Sequence, residues 1–450
     1  LFLFVLFFSL IIFVWSGKEA RATPNIYYVS TSGDDSNPGT LSEPFRHLSK
    51  GAAAAKAGDT VIVMDGTYDN EGKIAPNSAV ILTASGTSGS PITFKTQNRG
   101  KAILDSMNTA KGDTCDGAKA YINLLHSHHI VIEGFVFQRG CSEAIHSDDD
   151  AHDILIKWNE FKNIANHTAK DDIGRDGIYL NQSEYNFTFD GNIFHDIGRT
   201  NTYTNSFDHG IYSLAKNTII VNNIFYNLLN GWAVQTASGF SGVIANNTFY
   251  GPNMFKGGTT KDGQIILWDP LGGNITIRNN IFLAPFQNAI AEYTFSTNGH
   301  SCAIDHNIVY PKGIPIGDIP GCSFSDNTTA DPHFADIASR DFHVKTGSGA
   351  IDAGVRVPQV AIDFDGRARP QGKAYDIGAY ELKASTPTPV TKTPAPVTKT
   401  PAPVTKTPAP VTKAPPMPTE KNTKNTPQFF LFISLIIILL FLLSRIKRER

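Results

Sequence analysis

The chain has 450 residues, with 39 Lys and Arg against 41 Asp and Glu and a hydrophobic fraction of 41%. The charge is unevenly placed: Thr23 to Ser385 carries 27 basic and 38 acidic residues, whereas the segment beyond Ser385 carries 10 basic and 2 acidic. An acidic body argues against nucleic acid as a partner, because phosphate binding needs a basic stripe, and a polyanionic ligand would need a bridging cation or a local basic patch.

Residues Leu1 to Trp15 are almost wholly apolar, and Ala20-Arg21-Ala22 fits the small-x-small pattern of a signal-peptidase site. Residues 1–22 therefore read as a signal peptide with a truncated start, the alternative being an uncleaved anchor. An Ala-rich helix is expected over Leu48–Lys56, with Gly58-Asp59 turning into a first strand, Thr60–Met64. Four cysteines, Cys115, Cys141, Cys302 and Cys322, allow three pairings. Separations of about one coil favour Cys115–Cys141 and Cys302–Cys322, and no CxxC or Cys/His cluster suggests zinc.

From Trp158 onward a short phrase recurs: WNEF, GNIF, NNIF, NNTF, NNIF and HNIV, ending at Phe161, Phe194, Phe225, Phe249, Phe282 and Val309. Asn159, Asn192, Asn223, Asn247, Asn280 and Asn307 each stand two residues before the apolar position. A second phrase falls between the copies, at 143–146, 176–179, 209–212, 231–234, 263–266 and 288–291. Two short apolar strands per repeat cannot close a core alone, but stacked repeats bury a continuous apolar column. The asparagines should then lie above one another as a hydrogen-bonded ladder. The fold class predicted is all-β, a right-handed parallel β-helix solenoid with an N-terminal helical cap.

Past the body, residues 385–427 are a Pro/Thr/Lys-rich spacer built on the repeat TKTPAPV. Proline fixes φ and removes a donor, so an extended spacer is expected. Phe429–Leu443 is an apolar run broken only by Ser434 and precedes Arg445, Lys447, Arg448 and Arg450, the arrangement of a transmembrane anchor at 428–444 with a cytoplasmic tail at 445–450. The expected location is the extracellular side of the cell membrane, anchored by that helix, and a monomer is expected.

The opening, Tyr27 to Tyr68, resembles the cap and first coil of secreted right-handed β-helix proteins of the pectate-lyase-like kind, as does IEGFVF at Ile132–Phe137. On that resemblance residues 23–70 are the cap and first coil, and 71–330 the β-helix. DPHF, DFHV, AIDAG, DFDGRARP and DIGAYE, between Asp331 and Glu381, resemble the choice-of-anchor Q segment of exported β-helix proteins, giving a segment at 331–384. The resemblance implies export and many polysaccharide lyases as kin.

Aligned on Ile145, Ile178, Ile211, Ala233 and Ile265, the second phrase places Glu143, Asp176 and His209 in one column, beside Arg175 and Asp208. Adjacent coils lie about 4.8 Å apart, so these groups should converge on one groove, walled by loops at 146–150, 165–175, 199–208 and 255–262. Tyr179 and Tyr212 should point outward and offer stacked rings to sugars. The family resemblance favours a calcium-assisted lyase acting on a uronate-containing polysaccharide, with Glu143, Asp176 and Asp208 as Ca²⁺ ligands. Asp176, His209, Arg175 and Lys261 are the candidate catalytic residues. A glycoside hydrolase using acids from Asp176, Asp208 and Asp148–Asp150 is one alternative. A non-catalytic surface module that binds glycan or serves adhesion is the other.

Overall fold

The computed structural model describes residues 23–69, 80–106, 120–140, 142–165, 174–199, 207–251, 263–312 and 315–383. These lie in one compact unit, Leu1–Thr386; a second unit, Pro387–Arg450, falls wholly outside the described residues. The expected signal peptide, spacer and membrane anchor lie outside them too, and no helix among the described residues is long and apolar enough to cross a membrane.

Among the described residues, three parallel sheets of eleven, eight and nine strands run along the body, each strand pairing with its counterpart one coil away. The chain visits each sheet once per turn, as a stacked β-helix requires. The Ala-rich helix forms over Leu48–Ala54, slightly shorter than expected. It closes the first coil: a Cβ at Gly51 would come within 2.9 Å of Val61 and 3.1 Å of Val29, so only glycine allows the helix this close. The first sheet strand is Ile26–Val29, and Thr60–Val63 pairs with it in parallel.

The nine-stranded sheet carries the phrase that sets the period. Phe137, Phe161, Phe194, Phe225, Phe249 and Phe282 stack face to face inside the coil, with centroids 4.6 to 4.9 Å apart. Beside them each ladder asparagine donates its side-chain amide to the Oδ1 of the next, from Asn159 through Asn192, Asn223, Asn247, Asn280 and Asn307 to Asn327, at 2.9 to 3.1 Å. The same Oδ1 atoms accept the backbone N–H of the preceding ladder residue. A second amide hydrogen reaches a carbonyl, as from Asn192 to Ile156 at 2.8 Å. Burial thus strands none of the donors.

The doubled asparagines have separate duties. The first of each pair, Asn222, Asn246 and Asn279, bends the corner with φ of 55°, 54° and 54°, a left-handed conformation that asparagine tolerates better than most residues. Their side chains then bind the C-terminal segment: Asn222 donates to Ile362 O, Asn246 to Asp376 O and Asn279 to Val355 O, at 2.7 to 3.0 Å. The segment after Asp331 is therefore bound against the solenoid. It is closed by a fully buried ion pair, Arg369 with Glu381 at 2.8 Å.

Cys302 and Cys322 form the expected disulfide, while Cys115 and Cys141 lie outside the described residues. One register expectation fails. Ile211 pairs with Val234, not Ala233, so Trp232 and not Gly231 stands in the column of His209. The slip follows from the turn: Gly231 rides directly on the Asp208 backbone, where a Cβ would meet the carbonyl oxygen at 1.8 Å. The alignments of Ile145 with Ile178 and of Ile178 with Ile211 hold, and Val234 takes the place expected of Ala233 opposite Ile265 as well.

Candidate functional site

The eight-stranded sheet presents strands Ile145–Asp148, Ile178–Leu180 and Ile211–Ser213 on three successive coils. Ile145, Ile178 and Ile211 are fully buried, so the next residue of each strand faces out. Those residues are His146, Tyr179 and Tyr212, and their rings form one pile. His146 stacks on Tyr179 at 4.9 Å, and Tyr179 on Tyr212 at 5.4 Å with the planes 6° apart. Each ring is only half-buried, leaving an aromatic strip on the outer wall.

The turns entering these strands hold the expected ionisable column, and the structure brings Asp176 and His209 together. The backbone N–H of His209 donates to Asp176 Oδ1 at 2.8 Å, and the N–H of Trp232 donates to His209 Nδ1 at 3.0 Å. Each side chain caps the backbone of the next coil. Asp176 and His209 are 3% and 2% exposed, so this column runs along the stack and not toward solvent. Burial pushes the Asp176 carboxyl well up, reinforced by the charge of Glu143, and pushes His209 down to about 3. At neutral pH the imidazole is uncharged; with Nδ1 accepting, its proton is on Nε2.

Asp208 is fully buried and its oxygens are in use. Arg199 donates to Oδ2 from its backbone N–H at 2.9 Å and from Nε at 3.0 Å, and to Oδ1 from its guanidinium at 2.7 Å. Asn230 adds a bond to Oδ2 at 3.0 Å. Glu143 accepts from the Ser142 hydroxyl at 2.6 Å. A calcium ion needs six to eight oxygen ligands around one open position. Glu143, Asp176 and Asp208, each committed to a protein donor and nearly closed to solvent, do not fit that cage. Arg175 is buried in the turn before Asp176, and Lys261 lies outside the described residues.

His146 was not among the expected site residues, although the structure places it at the centre of the charges. Its Nδ1 lies 3.7 Å from Glu143 Oε2 and its Nε2 3.1 Å from Asp148 Oδ1. Burial opposes its charge, but the two carboxylates more than offset this and raise its pKa. Burial likewise works against ionised Glu143, and His146 and Ser142 reverse it, holding the carboxyl below its ordinary range. The imidazole thus bridges two carboxyl groups at one end of the ring strip. Glu184, which enters the neighbouring strand Tyr185–Asp190, is buried with its carboxyl pushed up to about 7 by loss of solvent. The sequence signal for His146 was its place one residue after Ile145, the position that yields Tyr179 and Tyr212 on the next coils.

Comparison with known proteins agrees with this architecture. A family described as "Pel9A-like, right handed beta helix region" matches residues 27–264. The uncharacterized protein YwoF of Bacillus subtilis (strain 168) is 27% identical over 161 residues, 34% of this chain and 32% of its own length. Pectate lyase L of Dickeya chrysanthemi is 31% identical over 84 residues, 19% of this chain and 20% of its own length. The chain thus spans a third or less of the curated relatives it matches. Among solved structures, pectate lyase Pel9A is 15% identical, covering 80% of this chain and 97% of its own, with a TM-score of 0.45. An alginate lyase from Paenibacillus sp. str. FPU-7 is 16% identical over 68% of this chain and 95% of its own, also at 0.45. The GH136 lacto-N-biosidase of Eubacterium ramulus is 12% identical over 68% of this chain and 67% of its own, at 0.44.

Proposed function

Because this chain belongs to the Pel9A-like right-handed β-helix family, we propose that it is a carbohydrate-active protein of the cell surface, a polysaccharide lyase acting on a uronate-containing polysaccharide. The observation that carries the reading is the outward strip of His146, Tyr179 and Tyr212, with the imidazole between Glu143 and Asp148. Piled face to face, these rings turn their edges and the tyrosine hydroxyls outward, where they suit sugar hydroxyls. The His146 ring extends that strip with its two nitrogens directed at Glu143 and Asp148, and a lyase acting there removes the C5 proton of the uronate unit. Proton abstraction is assigned to Lys261, and protonation of the departing glycosidic oxygen to Arg175, two of the groups expected to act on protons. Asp176 and His209 serve as positioning residues: they fix the turns from which Tyr179 and Tyr212 project.

A second reading has its own support. Because Asp176 and His209 are committed to backbone donors, the ring strip could bind glycan without cleaving it. The protein should be incubated with uronate-containing and neutral polysaccharides, with added calcium and separately with chelator. Unsaturated products absorbing in the ultraviolet, formed from uronate polymers and surviving chelation, are the expected result. New reducing ends without absorbance would mean a hydrolase, and binding without products a glycan-binding module; either would displace the lyase reading.

A further inference from the structure

On the eleven-stranded sheet, away from the site above, two adjacent coils carry His128-His129 and His152-Asp153 in register, with His152 paired to His128. A regular strand would send neighbouring side chains to opposite faces. Here His129 and Asp153 both have φ of 55°, which breaks the alternation, and all four residues stay half-buried before the inward Ile130 and Ile154. His152 stacks on His128 at 4.7 Å and on Tyr185 at 4.5 Å, so its ring is clamped from both sides.

The donor atoms converge. His152 Nδ1 lies 2.7 Å from Asp153 Oδ2, and His129 Nε2 lies 3.9 Å from the same oxygen. One ligand atom each from His129, His152 and Asp153 falls within 4.8 Å of the others. A tetrahedral zinc site with Zn–N near 2.0–2.1 Å sets its ligand atoms about 3.3 Å apart, so small side-chain rotations close the set. Outer contacts that orient metal ligands are present as well. Asn186 donates to Asp153 Oδ1 at 3.0 Å, and Asn217 in turn donates to Asn186 at 3.3 Å. His128 Nδ1 and His129 Nδ1 lie 2.9 Å apart, so one ring donates to the other. In the tautomer with His129 as donor, its Nε2 lone pair faces the cluster, the second-shell arrangement typical of a ligating histidine. Asp153 also lines an open groove of about 700 Å³ with Asn186, Thr188, Asn217 and Gln359.

We propose that His129, His152 and Asp153 form a binding site for a zinc-class dication that bridges two coils of the solenoid. Two imidazoles and one carboxylate suit Zn²⁺ and neighbouring transition metals, whereas calcium takes oxygen ligands. The site is independent of the carbohydrate reading, and its ligands come from different residues and a different sheet.

Isothermal titration of the full chain with zinc chloride at neutral pH, and with calcium chloride as control, tests the proposal. One zinc equivalent should bind and raise the melting temperature, and calcium should not compete for it. His129→Ala, His152→Ala and Asp153→Asn should each weaken zinc binding by roughly 10-fold or more, while His47→Ala, on the first coil, should leave it unchanged. Should a ligand variant fail to fold, Asn186→Ala supplies the milder test, expected to weaken binding without touching a ligand. Absence of zinc binding to the wild type, or wild-type affinity in all the ligand variants, would overturn the proposal.

Discussion

Arg369→Ala should lower the unfolding free energy of the body by about 3–5 kcal/mol, the cost of leaving one partner of a buried ion pair uncompensated. Arg369 and Glu381 are both fully buried. The guanidinium also donates to Asp376 O at 3.1 Å, Gly378 O at 2.8 Å and Asn222 Oδ1 at 3.1 Å. It thus joins the C-terminal segment to itself and to a corner of the solenoid. Removing it leaves the Glu381 carboxylate in a site closed to water and frees Asn222 Oδ1 and two carbonyls of partners. Urea unfolding of wild type and variant measures the difference. A loss below about 1 kcal/mol, the range of an exposed pair, would mean that the segment does not depend on this contact.

His209 gives the second large effect, on the acid limb of stability. Its pKa is held at about 3 by burial, against an unfolded value of 6.5. Between those values the unfolded chain binds the extra proton and the folded chain does not, so stability falls as pH drops from 6.5 toward 3. Each pH unit corresponds to about 1.4 kcal/mol per proton, which sums to several kcal/mol across the window. Asp176, whose carboxyl is pushed up, works in the opposite direction: it loses stability as pH rises through its folded pKa. The two slopes overlap in the wild type, so the informative quantity is the difference between wild type and His209→Asn. That difference should shift by about 1.4 kcal/mol per unit between pH 6.5 and 3. A pH-independent difference would mean that the imidazole is not buried neutral.

The solenoid was legible in the sequence because its two ladders are written into the chain at fixed offsets. A buried asparagine must find both a donor and an acceptor on the next coil, so Asn223 and Asn247 recur beside Phe225 and Phe249 wherever a coil is stacked. The turns are less legible. The offset from Ile178 and Ile211 places Asp176 and His209 in one column, yet it does not tell whether that column faces solvent or runs up the stack. Backbone geometry decides this, through N–H groups that sequence patterns do not display. The slip at Ala233 has the same origin: both Ala233 and Val234 are apolar and buried, and the close approach of Gly231 to Asp208 fixes which one stands opposite Ile211. His128-His129 escaped notice because left-handed φ angles overturn the alternation on which strand reading rests. His146 stood in the right phrase, but its importance comes from Glu143 and Asp148 meeting around it, and Glu143 belongs to the turn before the strand.

The claim most worth testing is that ligand recognition belongs to the outward strip, whereas Asp176, His209 and Trp232 hold the turns behind it. The measurement is the affinity of wild type, His146→Ala and His209→Asn for the polysaccharide that the substrate panel identifies, read beside their melting temperatures at neutral pH. His146→Ala should weaken binding by about 3- to 10-fold while folded, the scale of losing one contact of the strip, and should also melt earlier because Glu143 loses its partner. His209→Asn should melt earlier and bind as the wild type does while folded. Undiminished binding by His146→Ala, together with lost binding by a fully folded His209→Asn, would contradict the assignment and return the site to the buried column.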